Sequence, residues 1–336
     1  MKAVGVKQSL PITEQEALVD IDIPKPSVGE NELLIKVTAV AVNPVDTKIR
    51  MRVGQADDYK VLGWDAVGVV ESKGTQVSGF EIGDRVYYAG DISKPGCNAE
   101  YHCVDYRIVG HAPQSLDDLA AAALPLTSLT AWELSFDRLQ VNVPSVHKQR
   151  CVLIFGAAGG VGSIMIQLLK QLTDVTVIAT ASRDETQAWV KQLGADYVIN
   201  HHQDIKQQLE GLPQPTDIAL LTHSADYFQT ATEVIAPQGR IGIIDDPEEA
   251  LDIRLMKQKS VSLHWEFMYT RSLFETADIS AQRDILNQVA ELVNAGKIRS
   301  TEGTRLNAMS AATLKEAHQL LESGKAIGKI VLPVAY

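Results

Sequence analysis

The run Cys151-Val152-Leu153-Ile154-Phe155, followed at once by Gly156-Ala157-Ala158-Gly159-Gly160-Val161-Gly162, constrains this chain more than any other stretch. Consecutive apolar residues without alternation describe a strand buried on both faces, as in a parallel sheet covered by helices. The glycines let the backbone turn tightly, and Ile164 to Leu172 continues with helical spacing. Such a turn delivers free N–H groups and the positive end of a helix dipole to one point, which suits an anion. Against the G-x-G-x-x-G pattern of dinucleotide binding, the three glycine positions hold Ala157, Gly159 and Gly162. A tight turn without a ligand is the alternative. The surrounding strand, helix and second strand favour a pyrophosphate site formed by Gly156, Ala157, Ala158, Gly159, Gly160, Val161 and Gly162.

The rest of the chain sorts around that unit. Before it, Glu32–Val37, Val67–Glu71 and Arg85–Tyr88 read as strands between glycine-rich turns, so residues 1 to about 125 are β-rich. Leu116 to Leu124 is alanine-rich and helical, with an interruption at Pro125. After the loop, strands at Val175–Ala179, Tyr197–Ile199, Ile218–Leu221, Arg240–Ile244 and Val261–His264 alternate with helices, which predicts βαβ units in a parallel sheet. The tail offers helices near Ala281–Ala295 and Leu314–Leu321 and a last strand, Lys329–Leu332.

A formal net charge of −11 argues against nucleic acid or an anionic membrane as partner. No run of about 18 apolar residues and no secretory leader is evident, so no membrane span is expected. Cys97, Cys103 and Cys151 are odd in number and lack C-x-x-C spacing, which fits a reducing cytoplasm better than a disulfide framework.

The loop Ala157-Ala158-Gly159-Gly160-Val161-Gly162 also carries a family resemblance. Ala41–Asp46, Gly63–Val70, Gly83–Val86, Leu124–Trp132 and Ala326–Lys329 support it in the same order and spacing over nearly the whole chain. The sequence resembles the quinone oxidoreductase branch of the medium-chain dehydrogenase/reductase superfamily, and within it the group called zinc-type alcohol dehydrogenase-like proteins. The resemblance implies an α/β fold: a Rossmann doubly wound parallel sheet at 126–265, and a β-rich GroES-like catalytic domain from 1–125 and 266–336.

Zinc alcohol dehydrogenases of that superfamily bind a catalytic metal through Cys, His and Cys. Here those positions fall on Asn43, Trp64 and Leu126, none of which suits zinc. Asp65 stands where zinc enzymes often carry a glutamate. The run of closely spaced cysteines of the structural zinc lobe is missing as well. Cys97, His102, Cys103 and His111 fit no standard spacing, and His102 and Cys103 would point to opposite faces of a strand. No metal is therefore expected.

The resemblance places Asn43, Asp46, Trp64, Asp65 and Thr127 around a nicotinamide. Asn43 is a candidate donor to a substrate carbonyl, or simply shapes a turn before Pro44. Asp46 relays a proton, caps a helix or pairs with Arg50. Thr127 bonds the cofactor or caps the helix after Pro125. Trp64 fills the space of the missing ligand. Tyr59 and Trp265–Tyr269 are candidates for a pocket mouth suited to a flat acceptor.

The expected cofactor is NADPH. The position after the second strand, where an NAD-preferring domain carries an acid, is Ala181. Ser182 and Arg183 follow it, and His201 after the next strand is expected against the same phosphate, whereas Lys329 is expected near the pyrophosphate. The expected reaction is hydride transfer to a quinone or α,β-unsaturated carbonyl. The alternatives are a zinc-type alcohol dehydrogenase and a non-catalytic, NADPH-binding redox sensor. A homodimer is expected, because the last strand of the sheet, Ser260 to Phe267, would otherwise leave an open edge.

Overall fold

The computed structural model describes residues 1–335. It divides into two units, one made of Met1–Leu129 with the segment from Tyr269 onward, the other of Thr130–Met268. The divisions fall inside one helix, Pro125–Trp132, and just past the strand Ser262–Trp265.

The first unit begins with strands β1 (Lys2–Gln8), β2 (Val19–Asp22) and β3 (Glu32–Val42), helix α1 (Pro44–Arg52), and strands β4 (Gln55–Val61), β5 (Ala66–Lys73), β6 (Arg85–Tyr88), β7 (Tyr101–Asp105) and β8 (Gly110–His111). Helices α2 (Asp118–Ala122) and α3 (Pro125–Trp132) follow. Sequence spacing predicts a break at Pro125. The structure has it: α2 ends at Ala122 and proline opens α3, where its missing N–H has no helical partner to lose. Taken together, the stretch Asp118–Arg138 is long and apolar enough to cross a membrane by length and composition, but 83% of its apolar window is buried in protein. Its last turns, Glu133–Arg138, are π-helical.

The second unit holds β9 (Cys151–Phe155), α4 (Gly160–Leu172), β10 (Thr176–Thr180), α5 (Asp184–Gln192), β11 (Tyr197–Ile199), α6 (Ile205–Gln208), β12 (Asp217–Leu220), α7 (Ser224–Val234), β13 (Arg240–Ile243) and β14 (Ser262–Trp265). Its six strands lie in the order β11-β10-β9-β12-β13-β14, all parallel. The chain thus winds outward in both directions from β9, the doubly wound arrangement. Leu153, Phe155, Ile178, Leu220 and Ile241 form its core. Each such side chain contributes about 1.5–3 kcal/mol on full burial.

The chain returns to the first unit with α8 (Thr270–Leu273), α9 (Ala281–Asn294), β15 (Glu302–Arg305), α10 (Ala311–Glu322) and β16 (Lys329–Pro333). The larger sheet there runs β15-β16-β3-β5-β6-β8, with β7 also paired to β3. β3 is its spine: it pairs antiparallel with β16, β5 and β7. That pairing brings the C-terminal end of β3 beside the start of β16 and the start of β5, and so sets the candidate site.

Candidate active site

Four element ends meet in the first unit. β3 stops at Val42 because Pro44 follows, and the residue before a proline is driven to extended backbone. Asn43 adopts that conformation and stands at the N-terminus of α1. The register Ile330↔Val42 brings Lys329 alongside. The carbonyl of Asp65, just before β5, accepts from the N–H of Ala41 at 3.1 Å.

The side chains form one buried network. Lys329 Nζ donates to the carbonyl of Val42 at 2.9 Å, to Asp65 Oδ2 at 2.9 Å and to Asn43 Oδ1. An ammonium has three protons, so all three are used. Asp65 also accepts from Asn43 Nδ2 at 2.9 Å and, through Oδ1, from the N–H of Leu126 at 2.7 Å. Asp65 therefore caps the first turn of α3, where a negative charge is favoured. The side chains of Lys329 and Asp65 are 3% and 0% exposed. Burial pushes the Asp65 carboxyl above its ordinary range, opposed by the Lys329 ammonium and by these donors.

Asp46 sits one turn into α1 and accepts from the N–H of Asn43 at 2.6 Å. Its other oxygen is buried without a partner. Burial pushes this carboxyl up to about 7, with the Asn43 N–H and Lys329 opposing. Burial also holds the Tyr269 phenol well above its ordinary range, and the carboxyls of Asp46 and Asp65 add to that.

Several sequence expectations change. Lys329 is not an arm for a pyrophosphate, because its ammonium is saturated inside this network. The Asn43 amide is 1% exposed; its oxygen accepts from Lys329 and one of its two N–H groups goes to Asp65, so the network holds its orientation rather than leaving it as a free arm for a substrate carbonyl. Asp46 does not pair with Arg50, which lies 3.2 Å from His318 Nδ1 and bonds Glu322 at 2.6 Å. The Thr127 hydroxyl turns back to the carbonyls of Leu124 and Ala123, at 3.2 and 3.3 Å, and so serves the helix start. Trp64 is buried, with Nε1 on the Asp91 carbonyl at 3.3 Å. Of the pocket-mouth candidates, Tyr59, Trp265 and Phe267 are exposed while Glu266, Met268 and Tyr269 are buried; Glu266 pairs with Arg138 at 2.8 Å.

The three positions that correspond to zinc ligands present an amide, an indole and an aliphatic side chain, and an ammonium is bonded to the first of them. That donor set does not fit zinc. The cysteines and histidines read as a second possibility are scattered. His102 contacts Tyr88 Oη and the Pro95 carbonyl, at 3.1 and 2.9 Å, and burial lowers it to about 4. His111 stacks on Phe80, Cys97 lies on the Asp65 carbonyl at 3.5 Å, and Cys103 points to Ser27. Among the described residues, no group of three or more His, Cys, Asp or Glu is placed to hold a metal ion.

In the second unit the glycine loop has the shape a pyrophosphate needs. Gly156 takes φ +75°. A Cβ on Gly162 would lie 2.5 Å from the Ala157 backbone, so only glycine lets α4 start this close to the loop. A Cβ on Gly159 would meet only the Gly156 carbonyl, at 3.4 Å, which leaves that face of the loop open. Ala157 is buried, while Ala158, Gly160 and Val161 are partly exposed. Ala181 directly follows β10 and is buried; Ser182 and Arg183 are half-exposed beyond it. Arg183 reaches Glu185 at 3.1 Å. His201 is half-buried past β11.

Comparison with known proteins agrees with both units. Residues 29–114 match the alcohol dehydrogenase GroES-like domain, and residues 193–332 match the zinc-binding dehydrogenase family. A zinc-type alcohol dehydrogenase-like protein of Staphylococcus epidermidis is 40% identical over 99% of both chains. The chain belongs to the medium-chain dehydrogenase/reductase superfamily, in its quinone oxidoreductase branch. A Rhizobium etli protein assigned by name to the zinc-dependent alcohol dehydrogenases superposes with a TM-score of 0.97 at 50% identity, covering 100% of this chain and 98% of the other. A Coxiella burnetii quinone oxidoreductase superposes with a TM-score of 0.83 at 31% identity, covering 100% and 99%. This chain is thus an oxidoreductase of that superfamily.

Sequence reasoning missed the role of Lys329. The signal was present: a lone lysine opens the otherwise apolar strand Lys329-Ile330-Val331-Leu332, and a buried lysine requires a buried acid. Which acid it meets depends on the pairing of β16 with β3.

Proposed function

We propose that this chain is an NADPH-dependent reductase that passes hydride to a quinone or an α,β-unsaturated carbonyl without zinc. The observation that carries the reading is the Lys329 ammonium, bonded to Asn43 and Asp65 where the zinc enzymes of the superfamily hold a metal. Without a metal the site lacks the Lewis acid that polarises a simple alcohol or carbonyl oxygen. A conjugated acceptor needs less polarisation. The quinone oxidoreductase name of the Coxiella relative supports the same class.

The glycine loop fits a dinucleotide, and bound NADPH supplies the hydride. Gly159, Gly162 and the first N–H groups of α4 hold the pyrophosphate. Ser182 and Arg183 take the 2′-phosphate, with no acid at Ala181 to repel it. Asn43, Asp46, Asp65 and Lys329 shape the floor of the catalytic unit, and the proton on the acceptor comes from solvent. Two copies pair through the edge of β14, which ends the parallel sheet and carries Trp265 at 54% exposure.

The test is NADPH consumption against a panel of quinones and alkenals, with a strong chelator and metal analysis of the purified protein. Turnover on one of these classes, unaffected by chelation and with far less than one zinc per chain, supports the reading. The match to a family described as zinc-binding favours a zinc alcohol dehydrogenase as the second reading. One tightly bound zinc needed for turnover would establish that instead. A charge-assisted hydrogen bond is worth about 1.5–3 kcal/mol. Arg183→Ala should therefore erase a NADPH preference of roughly ten- to a hundredfold and leave NADH binding nearly unchanged.

A further inference from the structure

The carboxyl ends of the parallel strands carry a cluster of imidazoles within the Thr130–Met268 unit. His201 and His202 follow β11, and His223 follows β12. The rings of His201 and His202 lie 4.4 Å apart between centroids. His201 meets Tyr227 of α7 edge-on at 6.2 Å, and Tyr227 packs on Phe155, the last residue of β9, at 4.7 Å. A chain of rings therefore leads to the start of the glycine loop. On the other side, a Cβ on Gly156 would touch Thr222 Cγ2 at 2.8 Å, and Thr222 Oγ1 lies 2.8 Å from His223 Nδ1. The N–H of Ala181 donates to the Ile199 carbonyl at 2.9 Å. The segments Ser182-Arg183 and Asn200-His201 consequently leave the sheet side by side.

Two details mark this cluster as more than surface. His201 Nδ1 is buried without a partner. His223 holds a left-handed backbone, φ +50°, at the N-terminus of α7. That conformation is uncommon for a residue other than glycine and gathers at ligand sites.

We propose that His201, His202 and His223 are specificity residues that recognise, beside Arg183, the extra phosphate by which NADPH differs from NADH, so that discrimination strengthens as the imidazoles take up protons. The proposal rests on the NADPH reading above. A neutral imidazole offers one N–H; the protonated ring offers two and a positive charge. Arg183 shares its guanidinium with Glu185, so imidazole charge adds what the arginine alone does not give. Burial holds His201 below its ordinary range, and the charges of His202 and His223 act in the same direction. A bound phosphate dianion opposes all three effects and draws protons into the cluster. The other charged or titratable groups around it include Asp184 and Glu185 at the start of α5, Asp204 on the same loop, Asp226 with Tyr227 on α7, and Asp245, which accepts from the N–H of Ser224 beside His223 at 2.9 Å.

The experiment measures dissociation constants of NADPH and NADH for the full-length protein from about pH 6 to about pH 8. It compares wild type, Arg183→Ala, and the triple variant His201→Gln, His202→Gln, His223→Asn. Asparagine is chosen because it tolerates the left-handed backbone. The phosphate loses charge below about pH 6, equally in every variant, so that effect cancels in the comparison. In wild type the NADH-to-NADPH ratio of constants should rise about tenfold from the upper to the lower pH, the worth of one added charged hydrogen bond. The triple variant should show no such rise. Arg183→Ala should lower the ratio throughout and keep the slope. The single histidine variants, each with part of the slope removed, serve if the triple variant does not fold. A flat wild-type ratio, or an unchanged slope in a folded triple variant, overturns the proposal and leaves the NADPH reading standing. No NADPH preference at any pH overturns both.

Discussion

Replacing Lys329 with methionine keeps the length of the side chain and removes its charge. Asp65 then remains as a fully buried carboxylate with only the Asn43 amide and the Leu126 N–H. Breaking a buried pair by removing one partner costs about 3–5 kcal/mol, because the uncompensated charge is the problem rather than the lost contact. In a unit of this size each kcal/mol moves the melting temperature by roughly 2–4 °C, so about 4 kcal/mol predicts a fall of roughly 8–16 °C. The double variant Lys329→Met, Asp65→Asn removes both charges and should recover much of the loss, since an asparagine oxygen still caps Leu126. The cost should also depend on pH. Burial already holds the folded pKa of Asp65 above its unfolded value, and removing the opposing ammonium raises it further, so the folded state of the variant binds more protons. Stability of the single variant then falls as pH rises through that range, and the defect shrinks in acid. Urea unfolding of wild type, both single variants and the double variant, at acidic and neutral pH, measures the coupling. A Lys329→Met cost under about 1 kcal/mol, or additive single effects in the double variant, would refute the buried network as described.

Gly162→Ala should destabilise the second unit by about 1–3 kcal/mol and abolish dinucleotide binding, because its methyl group meets the Ala157 backbone; calorimetry and cofactor titration check both. Asp46 has a folded pKa near 7, above its unfolded value, so its contribution to stability is present in acid and is lost as pH rises from about 4 to about 7. Asp46→Asn should flatten that part of the stability–pH curve; an unchanged curve would remove Asp46 as the cause. Light scattering at micromolar concentration should give a dimer mass, and Trp265→Lys at the β14 edge should shift it toward monomer; a wild-type monomer would end that assignment.

Local patterns in the sequence carried the parallel-sheet unit almost completely. Cys151–Phe155 and Tyr197–Ile199 read as strands and are strands, as is Arg85–Tyr88 in the first unit, because an unbroken apolar run or a turn-bounded β-branched segment has few other stable places. The glycine loop was legible for the same reason: close approach of Gly162 to Ala157 tolerates only glycine, so the requirement is written in the residue itself. Short, largely exposed strands such as β4 and β15 were not legible, since their apolar periodicity is too weak.

The sequence by itself determined the fold class and the misfit of Asn43, Trp64 and Leu126 as zinc ligands, because those depend on residue type and local order. Only the tertiary structure decided what stands at that place. Lys329 is 286 residues from Asn43 and 264 from Asp65. Strand pairing between β16 and β3 brings them together, and once the ammonium is buried it must take every acceptor within reach. That saturation withdraws Lys329 from the pyrophosphate, and the same bonds fix the orientation of the Asn43 amide. No local pattern carries that outcome, because the desolvation that enforces it exists only in the folded chain.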